Sequence, residues 1–456
     1  MIDLANKKVL LVGFGGEGRA NLRYAASRGA QSIAISDQTP LLDISSDDRK
    51  LVEQIFTGET WLESAHTYDI IMRSPGVPLH LLEPVIKRSP RITVTSSTAI
   101  FLSKHRDRTI AITGTKGKST TTSLLHRILC AAGHDAHIGG NIGIAAISLI
   151  DTSAAIYVLE LSSYQLEDIR HSPHQAILLN LYPEHLDHHG DFERYAAAKA
   201  RIATNQQPGD LLILPEETHT LSSSTNHSPA TRSYFSGPNA QAWIEDDTYF
   251  YHDIHGRKVS VCSVSGTKLK GPGNRQNILA VLTALRGFSI PTPILAETIS
   301  NFDPLPHRLE EVGIAFGVRY INDSISTVPE ACLNALETFG NDVKTIILGG
   351  YDRGVSFDNL ARYLLSSSVE NVILFPPSGA RIEAAITQLS AATGARQILF
   401  THVQSMSEAI TAASHVTPQG STCLLSPASP SFPIFKNFEE RGQIFRECVR
   451  KLAGGG

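Results

Sequence analysis

Apolar residues in this chain fall in short blocks, and the stretches between the blocks repeat their apolar positions every three to four residues. Short blocks bounded by polar residues suit buried strands, and the longer period suits helices. Val9–Val12, Ser32–Ser36, Asp69–Met72 and Ile92–Val94 are blocks of this kind, followed by Thr109–Thr113, Ile156–Leu161 and Ala176–Leu181. Beyond Pro304 the alternation is strict. Strands are expected at Val318–Asn322, Thr345–Leu348, Asn371–Phe375, Gln397–Phe400 and Thr422–Leu425, with helices at Pro329–Phe339, Phe357–Leu365, Ala380–Leu389, Ser407–Ser414 and Asn437–Leu452. The pattern predicts an α/β protein with parallel sheets covered by helices. Trp243–Val264 alternates around His255-Gly256 as a hairpin does, and the Ser/Thr/Asn/Pro-rich stretch from about Glu216 to Ala240 is expected to be a long surface loop. A length of 456 residues fits about three domains. The breaks divide the chain into 1–100, 101–303 and 304–456.

Composition narrows the partners. A net charge of -4 with 18% charged residues leaves no basic excess for a nucleic-acid backbone. The apolar blocks fall short of the roughly 20 residues that span a bilayer, and Met1–Lys8 has no charged-then-apolar export pattern. A cytoplasmic monomer acting on small molecules is expected. The five cysteines are scattered without a C-x-x-C pair and are expected to be reduced and structural. Gly454–Gly456 resembles a frayed end.

Two glycine-rich turns carry the candidate chemistry. Thr109–Thr113 leads into Gly114, Thr115, Lys116, Gly117, Lys118, Ser119 and Thr120, and a helical pattern follows at Leu124, Leu125, Ile128 and Leu129. Strand, tight loop and helix N-terminus in that order gather main-chain N–H groups and the Lys118 ammonium around nucleotide phosphates, with the Ser119 hydroxyl in reach of Mg2+. The spacing is a variant, since Ile112 stands where the common pattern has its first glycine. The second turn is Gly13, Gly15 and Gly18, a G-x-G-x-x-G between two strands, with Asp37 about 20 residues on to meet a ribose hydroxyl. Alone it fits a nicotinamide-dependent oxidoreductase or a purely structural turn. Two nucleotide sites in one chain fit better an enzyme that holds one nucleotide as a handle on its substrate and consumes the other.

Glu160 ends a strand beside the phosphate loop, where open sheets bind ligands and where a hard carboxylate suits Mg2+. The next strand delivers Glu184, His185, Asp187, His188 and His189. These five lack the H-E-x-x-H spacing of a zinc site, so support for a second Mg2+ is the preferred reading. Lys199, amid alanines, is either drawn inward or simply a solvated helix lysine.

Thr113-Gly-Thr-Lys-Gly-Lys118-Ser-Thr, Gly139-Gly-Asn141-Ile-Gly, Glu160-Leu-Ser-Ser-Tyr-Gln165, Pro183-Glu-His185-Leu-Asp and Ala197-Ala-Lys199, in this order, resemble the Mur ligases of peptidoglycan precursor synthesis. Gly271-Pro-Gly-Asn274-Arg-Gln-Asn277, Leu305-Pro-His307-Arg308, Asn322-Asp323-Ser324, Gly349-Gly350, Ser426-Pro-Ala and Phe435-Lys-Asn-Phe438-Glu-Glu-Arg-Gly442 extend the resemblance over nearly the whole chain. The most similar branch adds glutamate to UDP-N-acetylmuramoyl-L-alanine. The resemblance implies Rossmann-like N- and C-terminal domains around a central P-loop ATPase-type sheet, and ATP-driven amide formation through an acyl phosphate. It implies that Lys118, His185 and Lys199 are catalytic, with one Mg2+ on Ser119 and Glu160 and a second on His185 and a carbamylated Lys199. Asn274, Asn277, His307, Arg308 and Asp323 match ATP-site positions. Gly13, Gly15, Gly18, Asp37, Ser74, Gly76, Asn141 and Gln165 match the UDP-substrate site.

The departures cluster around the incoming amino acid. Where the D-glutamate branch carries a lysine, this chain has Ile325-Ser326-Thr327, and Tyr351-Asp352-Arg353 follows Gly349-Gly350. Thr327, Arg353, Ser431 and Phe438 are the expected glutamate contacts, with Pro430 and Phe432 reshaping the pocket. A group of these ligases that uses L-glutamate has similar strings, so the expectation leans to L-glutamate with the enantiomer open. The rival readings are a nicotinamide oxidoreductase, a non-catalytic nucleotide switch and a folylpolyglutamate synthetase-like ligase.

Overall fold

The computed structural model describes residues 2–40, 42, 44–216 and 224–454, with Asp187 described by its backbone alone. The chain forms two compact units, Met1–Val264 with Gln276–Ile299, and Ser265–Arg275 with Ser300–Gly456. The first holds two sheets and the second holds one.

Strands β1 (Lys8–Val12), β2 (Ser32–Asp37), β3 (Gln54–Thr57), β4 (Ile70–Arg73) and β5 (Thr93–Ser96) form a parallel sheet in the order β3-β2-β1-β4-β5. Val9, Leu10, Leu11 and Val12 are fully buried, as a strand covered on both faces requires. The second sheet contains β6 (Thr109–Thr113), β7 (Ala136–Gly140), β8 (Ile156–Glu160), β9 (Gln175–Leu178), β10 (Leu211–Pro215), β11 (Thr231–Phe235), β12 (Ala242–Glu245), β13 (Thr248–His252) and β14 (Lys258–Ser263). Its order is β14-β13-β12-β11-β10-β9-β6-β8-β7, and only the β12-β13 and β13-β14 pairings are antiparallel. The expected hairpin is therefore present. The expected loop before it is not wholly a loop, because β11 pairs in parallel with β10; residues 217–223 of that stretch lie outside the described residues. β11 alternates exposed and buried side chains, which lets polar residues occupy a strand.

In the second unit, β15 (Glu310–Ala315), β16 (Val318–Asn322), β17 (Val343–Gly349), β18 (Asn371–Phe375), β19 (Leu399–His402) and β20 (Thr422–Leu425) take the order β15-β16-β20-β17-β18-β19. Five strands are parallel, as the alternation predicts, and β15 adds an antiparallel edge that it does not. Among the described residues no helix is long and apolar enough to cross a membrane. Among the described residues no cysteine forms a disulfide, and Cys332 and Cys423 are buried.

Candidate active site

In both sheets of the first unit the glycine-rich turns leave the strand where the strand order reverses, at the carboxyl ends of β1 and β6. Gly13 has φ +86, and a Cβ there would meet the Ser74 Cβ at 2.9 Å. Ser74 Oγ donates to the Gly13 carbonyl at 2.7 Å, which ties the turn after β1 to the turn after β4. Asp37 accepts from the Phe14 amide at 2.8 Å, and its other oxygen accepts from the Thr39 amide at 2.8 Å, so this carboxylate also clamps the loop. Gly15 caps the helix Gly16–Ser27, and Gly15 and Gly76 both face open space.

The phosphate loop is pinned from the segment after β9. Thr115 N donates to the Asn180 carbonyl at 2.9 Å, Lys116 N to Asn180 Oδ1 at 2.8 Å, and Lys116 Nζ to Glu184 at 2.9 Å. Gly117 has φ +89 and starts the helix Lys118–Ala131. A side chain there would overlap Asn277, which brings these two predicted nucleotide residues together. Lys118 Nζ folds back on the Gly114 and Thr115 carbonyls at 3.0 and 2.9 Å. Ser119 and Thr120 follow in the first turn; Thr120 is fully buried.

Lys199 lies on the inward stripe of the helix Phe192–Thr204 with Tyr195, Ala196, Ile202 and Ala203, and is only 2% exposed. Asp191 caps this helix by accepting from Arg194 N at 2.7 Å, which is worth about 1 kcal/mol. Lys199 Nζ donates to the Gly114 carbonyl at 2.8 Å. Burial, and then the Lys118 charge, hold its pKa well below the usual lysine range. Glu160 is 2% exposed; Oε1 accepts from Asn141 Nδ2 at 2.8 Å, and buried Oε2 has no hydrogen-bond partner among the described residues. Asn141, predicted at the sugar diphosphate, thus sits on the Glu160 carboxylate.

His185 takes a left-handed conformation, φ 56, and its ring lies 5.0 Å from that of Tyr164. Its neighbour Glu184 is buried; the charges of Lys116, His185 and Lys118 outweigh that burial and draw its pKa down to about 2. Among the described side chains, Glu184 pairs with Lys116 and does not join the two later histidines. His188 and His189 instead converge on Glu167, with His188 Nε2 2.8 Å and His189 Nδ1 3.4 Å from Glu167 Oε1. Gln165 forms a reciprocal capping box with Ser162, which leaves its Nε2 3.4 Å from Glu17.

The second unit holds the remaining predicted residues. Asp323, at the end of β16, accepts from Ser326 at 2.5 Å, Ser426 at 2.8 Å and Leu309 N at 3.3 Å, and burial pushes its pKa up to about 6. His307 has φ 63 and Nδ1 3.0 Å from Asn322 Nδ2, with no room for a side chain at Gly442 beside the ring. Arg308 follows it, and Asn274 donates to the Lys270 carbonyl at 2.8 Å. Ser431 is buried, Thr327 is half-buried, and the Phe438 carbonyl accepts from Ser324 Oγ at 2.8 Å. Arg353 Nη1 is buried with no hydrogen-bond partner among the described residues.

Two buried arginines escaped the sequence reading. Arg441 grips Ser324 and the Ser429 carbonyl, and Arg73 grips the segment after β8. Arg441 lies within a recognised motif and Arg73 beside one, but Ser324 is 117 positions from Arg441 and Tyr164 is 91 from Arg73.

Residues 112–285 match the Mur ligase middle domain. The UDP-N-acetylmuramoylalanine--D-glutamate ligase of Symbiobacterium thermophilum is 33% identical, covering 98% of each chain. The UDP-N-acetylmuramoyl-L-alanine--L-glutamate ligase of Salinispora tropica is 32% identical, covering 99% of each chain. The fold is also that of the MurF ligase from Thermotoga maritima in complex with ADP, with a TM-score of 0.59 and 17% identity over 99% of this chain and 100% of that one. The relatives matched along the whole chain are named ligases, which sets aside the nicotinamide oxidoreductase and the non-catalytic switch. Identity of a third over almost the entire length shows that the chain belongs to the Mur ligase family.

Proposed function

We propose that this protein joins glutamate to UDP-N-acetylmuramoyl-L-alanine at the expense of ATP. A carboxylate is a poor electrophile, so the alanyl carboxylate first attacks the γ-phosphate of ATP, the β–γ P–O bond breaks to release ADP, and the carboxylate becomes an acyl phosphate. The glutamate amine then displaces inorganic phosphate and leaves an amide. Both steps gain mainly from alignment and charge neutralisation. In this scheme Lys118 and the amides of Gly114–Thr120 hold the phosphates, and Gly13–Gly18, Asp37, Ser74, Gly76, Asn141 and Gln165 hold the UDP-sugar.

The observation that carries the metal assignment is the bare, buried Oε2 of Glu160. An acceptor left so is costly unless a cation or donor completes it. Glu160 and the Ser119 hydroxyl would hold one Mg2+, and His185 with Lys199 a second. Bound Mg2+ would supply neutralising charge to the phosphate oxygens. An ammonium cannot ligate a cation. A lysine held neutral by burial can add carbon dioxide at Nζ, lose a proton, and present a carbamate oxygen. Scattered cysteines without a C-x-x-C pair fit a cytoplasmic enzyme, which we take to act as a monomer.

We infer that glutamate is the amino acid, with a lean to the L form and D-glutamate as the alternative. Relatives of near-equal identity carry both enantiomers in their names. Arg353 can serve either enantiomer, since its Nη1 has hydrogen-bonding capacity to spare and a guanidinium can grip a carboxylate by two parallel bonds; the lean to the L form rests on the resemblance of Asp323-Ser-Ile-Ser-Thr327 and Asp352-Arg-Gly354 to the ligases that use L-glutamate. Phosphate release with ATP, Mg2+, UDP-N-acetylmuramoyl-L-alanine and either enantiomer tests this. Release with L-glutamate alone is expected; release with D-glutamate alone would overturn it.

A further inference from the structure

Arg73 is the last residue of β4, immediately before the Ser74-Pro75-Gly76 turn, and its side chain is fully buried. Its donors point two ways. Nη1 donates to the Val77 carbonyl at 2.7 Å and the Pro75 carbonyl at 3.4 Å, within its own turn. Toward the segment after β8, Nη2 donates to the Tyr164 carbonyl at 2.8 Å, Nη1 to Glu167 at 3.2 Å, and Nε to Asp168 at 3.2 Å. Ser96 Oγ, at the end of β5, donates to the other Asp168 oxygen at 2.8 Å. One planar fork therefore joins the turn of the first sheet to the loop that begins at Glu160 in the second.

The connection continues. Glu167, anchored by Arg73, meets His188 at 2.8 Å on the short helix that His185 caps. The Tyr164 ring lies 4.2 Å from His188 and 5.0 Å from His185. Burial raises the Glu167 pKa, but the His188 hydrogen bond and the charges of Arg73 and both histidines hold it below the usual range. Glu167, His188 and His189 have donor atoms close enough for a metal, yet both Glu167 oxygens already serve His188 and Arg73. The three are better explained as an anchor.

We propose that Arg73 is a positioning residue for ligation. It sets the distance between the turn that grips the sugar carrier and the two segments, at the end of β8 and after β9, that carry Glu160 and His185, so that the carrier's carboxylate arrives in line with the γ-phosphate. This rests on the Ser74–Gly76 turn being part of the carrier site. A misalignment of about 1 Å costs roughly a hundredfold in rate, so a rigid strut between the two grips has a direct effect on turnover. The hydrogen bonds of Arg73 run to the turn after β4 and to the segment after β8 rather than to Gly114–Thr120, so ATP affinity is expected to change little when it is replaced.

The test compares the full-length wild type with R73K, R73M and the charge-balanced R73M/E167Q. Three quantities are read: ATP affinity by calorimetry, kcat and KM for UDP-N-acetylmuramoyl-L-alanine, and phosphate released per glutamate incorporated. Expected for R73M/E167Q are ATP affinity within about twofold of wild type, kcat lower by roughly tenfold to a hundredfold, and more than one phosphate per amide. R73K, which keeps the charge but not the fork, should recover part of kcat. A folded R73M/E167Q with wild-type kcat and a ratio of one would overturn the proposal, as would parallel loss of ATP affinity and kcat. Wild type that releases no phosphate with this acceptor would instead overturn the proposed function.

Discussion

Lys118 and Lys199 meet at one atom: both ammonium nitrogens reach the carbonyl oxygen of Gly114, at 3.0 and 2.8 Å. Two cations on one acceptor repel, and the buried partner, Lys199, is the one whose charge is suppressed. If Lys199 carries carbon dioxide, protein prepared without bicarbonate should lose most of its turnover and regain it on bicarbonate addition. 13C-bicarbonate should give a carbamate resonance absent from Lys199→Ala. Full turnover with a bare amine would end this assignment.

Gly117 has a left-handed backbone, and a methyl group on it would overlap Asn277 Oδ1 and lie 3.0 Å from Asn277 Cγ. Gly117→Ala therefore combines backbone strain of about 1–3 kcal/mol with displacement of Asn277. Calorimetry should show ATP affinity down by roughly tenfold or more, which takes 1.4 kcal/mol. Unchanged ATP binding would show that the Gly117–Asn277 approach does not shape the site.

Glu160→Gln keeps an acceptor for Asn141 and replaces the bare anionic oxygen with a neutral NH2 group that cannot ligate a cation. Thermal stability should change little, while the Mg2+ concentration for half-maximal activity rises about tenfold, the scale of one lost charge-assisted contact. An unshifted Mg2+ requirement would remove Glu160 from the metal.

Asp323 offers a pH test. Burial raises its folded pKa to about 6, above the ordinary 3.8, so the folded state binds the proton more tightly than the unfolded state. The associated stability is fully present at pH below 3.8 and is lost as pH rises through 6, a change of about 3 kcal/mol at most. Asp323→Asn, which cannot ionise, should flatten the slope of urea-derived stability between pH 4 and 7. An identical slope in both proteins would contradict the buried-acid account.

The phosphate loop was legible in the sequence because its determinants are contiguous: strand, glycines, lysine and helix occupy Thr109–Ala131. Burial of Lys199 was half legible, since small residues surround it but nothing local names Gly114 as its partner. Arg73 and Arg441 were not legible, because a buried arginine declares itself only through distant carboxylates and carbonyls. β11 and β15 were missed for a different reason. Each lies away from the fully buried centre of its sheet and carries exposed polar residues, so the apolar block that marks a central strand is absent.

Phosphate release measured with ATP and Mg2+, with and without UDP-N-acetylmuramoyl-L-alanine, with glutamate supplied throughout and Lys118→Ala as control, tests the central claim most directly. The expected result is release that requires the muramoyl acceptor and falls by two or more orders of magnitude, on the order of 3 kcal/mol of transition-state stabilisation, in Lys118→Ala. Release indifferent to the acceptor, or unaffected by loss of Lys118, would contradict it.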